Sequence, residues 1–204
     1  MKQLILAGVG GQGIVLASRI LSQTAIDGGQ DVLASETIGM AQRGGSVVAH
    51  LRIADGGEKL FSPMISDASA DAILAFEPGE ALRSLTFLKS GGIVVTSNEA
   101  VFPTMTSDKE VVYDVAGILS QLEGLRDSGR IGKLVVVDTA SLCEKAGSHR
   151  AINTVMLGAL MATGCMELDN ADVAAAMAKL VKPKFVELNQ NAMCIAYDAV
   201  SASL

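Results

Sequence analysis

Gln3-Leu-Ile-Leu-Ala-Gly-Val-Gly-Gly-Gln-Gly-Ile14 decides how this chain is to be read. The apolar run from Gln3 to Ala7 predicts a strand, and glycines follow it at once. From Gly13 to Asp27 the spacing turns helical. Ile14, Ala17, Leu21 and Ala25 share one face, while Ser18, Arg19, Ser22 and Gln23 lie elsewhere. Gly28-Gly29 stops the helix, because glycine tolerates the left-handed conformation there. Asp31 to Ser35 predicts a second strand, giving a βαβ unit at the N-terminus. The segment Gly8–Gly13 holds a G-x-G-x-x-G pattern in the strand-to-helix context that the motif requires. Its glycines permit a tight turn and close backbone approach, and the open N–H groups of the first helical turn face an anion. Two readings follow from these residues: a phosphate or nucleotide contact formed by Gly8, Gly10, Gly11, Gln12 and Gly13, or a turn that holds no ligand.

Outward from this unit the alternation breaks and then resumes. Glu36 to Gly45 reads as a polar loop and Ser46 to Ile53 as a strand. Asp55-Gly56-Gly57 marks a turn, and Lys59 to Phe61 a short hairpin partner. Further strands are predicted at Asp71–Phe76, Gly92–Ser97 and Lys133–Asp138, with a short one at Val111–Tyr113. Helices are expected from Pro78 to Leu88, Val115 to Leu125 and Ala140 to Ala146, with a loop over Asn98–Lys109. The last third is helical: Thr154–Thr163, Ala171–Val181, and Lys184–Ala202 with Phe185, Leu188, Ala192, Ile195 and Ala199 on one face. The expected fold is α/β: a three-layer Rossmann-like structure with a mostly parallel sheet and a small β-hairpin insertion, in a single domain over residues 1–204.

Composition agrees with that architecture. Half of the 204 residues are hydrophobic and 3% aromatic, so the core is aliphatic, as in strands buried on both faces. A net charge of −6 without a basic cluster argues against nucleic-acid binding. No apolar run reaches the roughly 18 residues of a membrane helix, and Thr154–Thr163 reads as a buried core helix. The apolar N-terminal stretch is too short for a signal peptide, so a cytoplasmic location is expected. Cys143, Cys165 and Cys194 are scattered, which fits reduced core thiols and supplies too few ligands for a usual iron–sulfur cluster.

A second set of chemical residues surrounds the predicted second strand. Glu36 stands where an acid would hold ribose hydroxyls in a dinucleotide site, or else is a solvated carboxylate. The loop Ile38-Gly-Met-Ala-Gln-Arg43-Gly44-Gly45-Ser46 offers a guanidinium that can clamp a carboxylate or phosphate, or else a solvated turn. Asn153 precedes a helix and reads as its N-cap. His50, in a strand, reads as structural, and His149 has no assignable partner. The chain lacks a G-x-S-x-G elbow and any metal-ligand spacing.

Taken together, Gly-Val-Gly-Gly-Gln-Gly at 8–13, Glu36 and Gly-Met-Ala-Gln-Arg-Gly-Gly-Ser-Val at 39–47 resemble the gamma domain of 2-oxoacid:ferredoxin oxidoreductases. So do Asp71–Pro78 with Glu80 and Arg83, Asn153–Ala159, and Val181–Asn189. The branch most similar is the beta subunit of indolepyruvate oxidoreductases, through Met40-Ala41-Gln42 before Arg43, although Gly44-Gly45 is closer to other branches. The resemblance implies a complex that decarboxylates a 2-oxoacid on thiamine diphosphate. Electrons pass through iron–sulfur clusters to ferredoxin, and the acyl group leaves on coenzyme A. The chain lacks a Gly-Asp-Gly thiamine motif with its Asn pair. The implied partner is therefore a larger thiamine- and iron–sulfur-bearing subunit, with ferredoxin met only indirectly and a homodimer left open. The implied contact with coenzyme A falls on Gly8–Gly13 and on Arg43, Gly44, Gly45 and Ser46. Two alternatives stand beside this reading: a stand-alone NAD-binding dehydrogenase and a non-catalytic assembly module.

Overall fold

The structure, a computed structural model, describes residues 1–39, 45–54, 56–101 and 113–204. Its centre is a six-stranded sheet. The strands are β1 (Lys2–Val9), β2 (Val32–Ile38), β3 (Ser46–Ile53), β4 (Ala70–Ala75), β5 (Leu88–Ser97) and β6 (Ile131–Val137). Their spatial order is β2-β3-β1-β4-β5-β6. The pairs β1–β4, β4–β5 and β5–β6 are parallel, while β3 runs antiparallel to both β1 and β2.

The sequence reading locates most of these strands and misplaces the inserted one. The first crossover does link two parallel strands, yet β3 is wedged between them. Lys59–Phe61 forms no strand, so the antiparallel partner of the hairpin is β2 itself. Glu36, Thr37 and Ile38, expected in a loop, extend β2 and pair with Ala49, Val48 and Val47. Of the expected turn, Gly56 and Gly57 have left-handed backbone, and Asp55 lies outside the described residues. So do Val111 and Val112, and Tyr113 is not in a strand.

Helices cover both faces of the sheet. They are α1 (Ile14–Asp27), α2 (Pro78–Ser84), α3 (Val115–Asp127), α4 (Thr139–Lys145), α5 (Ile152–Ala162), α6 (Asn170–Leu180) and α7 (Val186–Ser201). Short 3-10 turns at His149–Ala151 and Pro183–Phe185 lead into α5 and α7. On one face Leu4 and Leu6 of β1 pack with α1 and the α4–α7 group. On the other, Ile5 and Ala7 pack with Ala81 of α2 and Leu122 of α3. The alternation along β1 thus feeds two separate cores, as a strand buried on both faces must.

Three local expectations give way to packing. The helix from Pro78 stops at Ser84, because Leu88 is already in β5, where it pairs with Ala70. On α7 the buried face is Ala192, Met193, Ala196 and Val200, rotated from the expected stripe. The cause is a close approach to α5, where a Cβ on Gly158 would lie 2.2 Å from the Met193 carbonyl oxygen. That contact turns Met193 inward and leaves Phe185 and Ala199 at the edge. Ser18, read as outward, is buried in α1. By contrast α5 is buried along almost its whole length, as its unbroken apolar character predicts.

Candidate functional site

The crossover after β1 places α1 on one face of the sheet, and the crossover after β4 places α2 on the other. The carboxyl ends of β1 and β4 therefore bracket a crevice at the point where the winding reverses, the usual ligand position in open α/β sheets. The glycine loop leaves β1 at this point. Because β3 is antiparallel to β1, its first residue Ser46 pairs with Val9 and brings Gly39, Gly45 and Ser46 to the same end of the sheet. The Gly10 N–H donates to the Gly45 carbonyl at 2.9 Å, and the Gly39 N–H donates to the Ser46 carbonyl at 2.8 Å. Gly10 and Gly45, more than 30 residues apart in sequence, thus meet directly.

Within the loop the residues divide by role. Gly8 is a packing glycine, since a Cβ there would lie 2.7 Å from Gln12 Oε1 and 2.9 Å from Phe76 Cβ. Gln12 is a strut. Its Oε1 accepts from the Val9 N–H at 2.8 Å and its Nε2 donates to the Phe76 carbonyl at 2.9 Å. Both polar ends of Gln12 are thereby engaged, joining the ends of β1 and β4. Gly11 and Gly13 have φ of +105° and +83°, a region that favours glycine. Gly13 caps α1 without a side-chain hydrogen bond, and no acid sits in the first turn. The N–H groups of that turn have no partner within the helix, and the positive end of its dipole is unopposed there. Arg43 and Gly44 lie outside the described residues.

Across the crevice stands an acidic wall. Glu77, 1% exposed, caps α2 by accepting the Glu80 N–H at 2.9 Å. It also accepts from the Tyr113 hydroxyl, which in turn accepts the Gly79 N–H at 2.8 Å. Glu80, 3% exposed, takes a hydrogen bond from Ser46 Oγ at 2.7 Å and pairs with Arg83. These residues and Val9 border a cavity of about 180 Å³. Burial, then the neighbouring Glu77 carboxylate, holds the Tyr113 phenol well above the ordinary tyrosine range. The phenol therefore serves as a fixed donor. Both carboxylates have donors already, so this wall orients the loops and repels anions. An anion at the crevice is favoured on the α1 side.

Sequence reasoning singled out Glu77, Pro78, Glu80 and Arg83 only as part of a resemblance. The readable signal was an acid before Pro at a helix start. Tyr113 gave no signal, since its role depends on a contact 36 residues away. Glu36 is exposed and level with Leu6 through Ala49, on a strand separated from β1 by β3. At about 4.8 Å per strand step it stands roughly 10 Å from the position a ribose-binding acid takes, and the dinucleotide reading loses its second element. Asn153 is not the N-cap of α5. That position is Ala151, and Asn153 lies inside the first turn against Gly13. His50 is structural as read. Its Nδ1 accepts the Ile65 N–H at 3.2 Å, its ring meets Phe87 edge-on, and burial lowers its pKa. Cys143, Cys165 and Cys194 are all free thiols. Among the described residues no group of three His, Cys, Asp or Glu could hold a metal, and no helix is long and apolar enough to cross a membrane.

Comparison with known proteins gives the following. Residues 3–199 match the family model described as pyruvate ferredoxin/flavodoxin oxidoreductase. The indolepyruvate oxidoreductase subunit IorB of Thermococcus kodakarensis is 33% identical over 201 residues, covering 98% of this chain and 96% of that one. The crystal structure of a keto/oxoacid ferredoxin oxidoreductase gamma subunit from Geobacter sulfurreducens PCA superposes with a TM-score of 0.70 at 22% identity, covering 99% of each chain. A 2-oxoglutarate:ferredoxin oxidoreductase from Magnetococcus marinus, solved with 2-oxoglutarate, coenzyme A and succinyl-CoA bound, superposes at 0.68 and 17% identity. That match covers all of this chain and 31% of the longer one.

Proposed function

This chain belongs to the pyruvate ferredoxin/flavodoxin oxidoreductase family, and from that premise we propose that it is the non-cluster subunit of an indolepyruvate-type 2-oxoacid:ferredoxin oxidoreductase. It works in the cytoplasm beside a larger subunit that carries thiamine diphosphate and the iron–sulfur clusters, and ferredoxin meets that larger subunit. The complex decarboxylates a 2-oxoacid, an aryl pyruvate in our reading, and releases the acyl group on coenzyme A. The three thiols of this chain stand on or beside different helices and do not fit a cluster. Electron transfer therefore has no stepping point here.

The observation that carries the reading is the joining of Gly10 to Gly45 at the switch point of the sheet. It brings Gly45 and Ser46 against the Gly8–Gly13 loop, backed by the Gln12 strut and by Glu77, Tyr113 and Glu80. Such a surface suits contact with a phosphorylated ligand held between subunits, and coenzyme A is the ligand of that kind that the reaction uses. Arg43, beside this surface in sequence, is the side chain we assign to ligand positioning.

Co-expression with the larger subunit and purification through a tag on this chain tests the proposal. The expected result is a complex containing iron and thiamine diphosphate that reduces a dye in the presence of indolepyruvate and coenzyme A. Arg43→Ala should lower turnover strongly with assembly intact. Full turnover by the larger subunit alone would overturn the subunit reading. Unchanged turnover in Arg43→Ala would reduce this chain to an assembly module. A preference for pyruvate in a substrate panel would overturn only the aryl assignment.

A further inference from the structure

The two outer strands of the sheet meet their surroundings differently. On β6, Lys133 is exposed, and the pairing with β5 shifts register between Gly92 and Ile93. Charge and irregularity of this kind keep a sheet edge from pairing with another strand. β2 has neither device. Its register with β3 is unbroken from Val32 to Ile38, it holds no lysine or proline, and Glu36 is its one charged residue. The Ala54 N–H donates to the Asp31 carbonyl at 2.8 Å, and the Gly39 N–H to the Ser46 carbonyl at 2.8 Å. The odd-numbered residues of β2 therefore bond to β3, and the N–H and C=O groups of Val32, Ala34, Glu36 and Ile38 turn outward. No strand of the sheet lies beyond them.

Apolar side chains gather at the same edge. Ile38 is 62% exposed and Phe61 89% exposed, and the exposed Met64 accepts from the Ser35 hydroxyl at 3.3 Å. Phe61 and Leu33 border a depression of about 320 Å³. An open, apolar strand edge is a template for another strand, and the sequence of this one fits itself. Antiparallel pairing about a two-fold axis at Ser35 sets Val32 opposite Ile38, Leu33 opposite Thr37 and Ala34 opposite Glu36. Each of the four outward residues then exchanges two hydrogen bonds with the residue opposite, about eight in all. The one charge of the strand meets alanine. Moving the axis to Glu36 sets two carboxylates directly opposite each other, which is destabilising. Moving it to Ala34 carries Ile38 past the end of the opposing strand, to Gln30.

We propose that β2 is the docking edge for a second copy of this chain, paired antiparallel about a two-fold axis at Ser35, so that two six-stranded sheets join into one. Ile38 packs over Val32 of the second copy, and Phe61 lies beside the paired Leu33 and Thr37. The self-complementary register selects a second copy over an unrelated strand. The surface stands apart from the joined Gly10 and Gly45, with β3 between β2 and β1. The proposal therefore holds whichever ligand meets the glycine loop.

Sedimentation velocity of the full-length chain over a range of concentrations, with disulfide trapping, tests it. The expected result is a reversible monomer–dimer equilibrium. Ala34→Pro removes an outward N–H from each copy, a change that an edge strand tolerates. It should raise the dimer Kd about tenfold or more, with circular dichroism checking the fold. Val136→Lys, on the opposite edge, should leave the Kd unchanged. Trapping reads the register in a Cys194→Ser background, which removes the one exposed thiol. Two Ser35→Cys residues would face each other at a Cα separation of about 4.5 Å, inside the disulfide range, and should cross-link under mild oxidation. Two Thr37→Cys residues would stand roughly 13 Å apart and should not. A chain that stays monomeric, including one that joins only a larger subunit, overturns the proposal. So does a dimer that Ala34→Pro leaves unchanged, or one that Thr37→Cys traps as well as Ser35→Cys. If Ala34→Pro fails to fold, Ile38→Lys decides, and a Kd within about twofold of the parent refutes the docking edge.

Discussion

Two glycines inside helices should respond oppositely to the same substitution. In a helix interior, alanine in place of glycine is worth about 1 kcal/mol of propensity, because the unfolded chain loses conformational freedom. Gly124 in α3 has nothing within 4 Å of an added Cβ, so Gly124→Ala should realise most of that gain. Gly158 in α5 faces α7, where the new Cβ would meet the Met193 carbonyl oxygen at 2.2 Å and Ala196 Cβ at 3.0 Å. Backbone cannot rotate away as a side chain can, so the helices must part by about an ångström through a packed core. Overpacking of this kind costs about 1–3 kcal/mol, and the rigid obstacle puts Gly158→Ala at the upper end. After the propensity gain, the net loss is about 2 kcal/mol, or a fall in Tm of roughly 4–8 °C for a chain of this size. Urea denaturation of both variants beside the parent measures the difference. A Gly158→Ala protein as stable as the parent would refute the α5–α7 approach, and with it the explanation of why α7 buries Met193 in place of the expected stripe.

Other outcomes follow from single contacts. Gln12→Ala removes both struts between β1 and β4 and should cost about 2–3 kcal/mol by denaturant titration, leaving a buried N–H and a buried carbonyl unsatisfied. Tyr113→Phe strips Glu77 of a donor and should destabilise the chain by about 1–3 kcal/mol, read as a lower urea midpoint. Stability should also fall as pH drops below about 6.5, the ordinary histidine value. His50 has a lowered pKa in the fold, so the unfolded chain binds its proton first, and His50→Gln should flatten the decline in that window.

Local pattern carried the unit from β1 through the glycine loop to α1. Periodicity, glycine spacing and the Gly28-Gly29 stop are all written within 30 consecutive residues. It also carried the burial of α5, whose side chains are apolar on every side, and the alternation of later strands and helices. The resemblance of motifs along the chain led to the family that the full-length comparison supports. What the tertiary structure alone decided depends on partners distant in sequence. The insertion of β3 between β1 and β2 is a choice among pairings that leave each strand's own pattern unchanged, and it removes Glu36 from the glycine loop. The rotation of α7 is set by one missing side chain on another helix. Asn153 has the sequence of a cap yet lies inside the first turn of α5 against Gly13, because the 3-10 turn at His149–Ala151 leads into the helix two residues early. Gly10 meets Gly45 only once β3 is paired beside β1, so residue spacing encodes the elements while packing decides which of them come together.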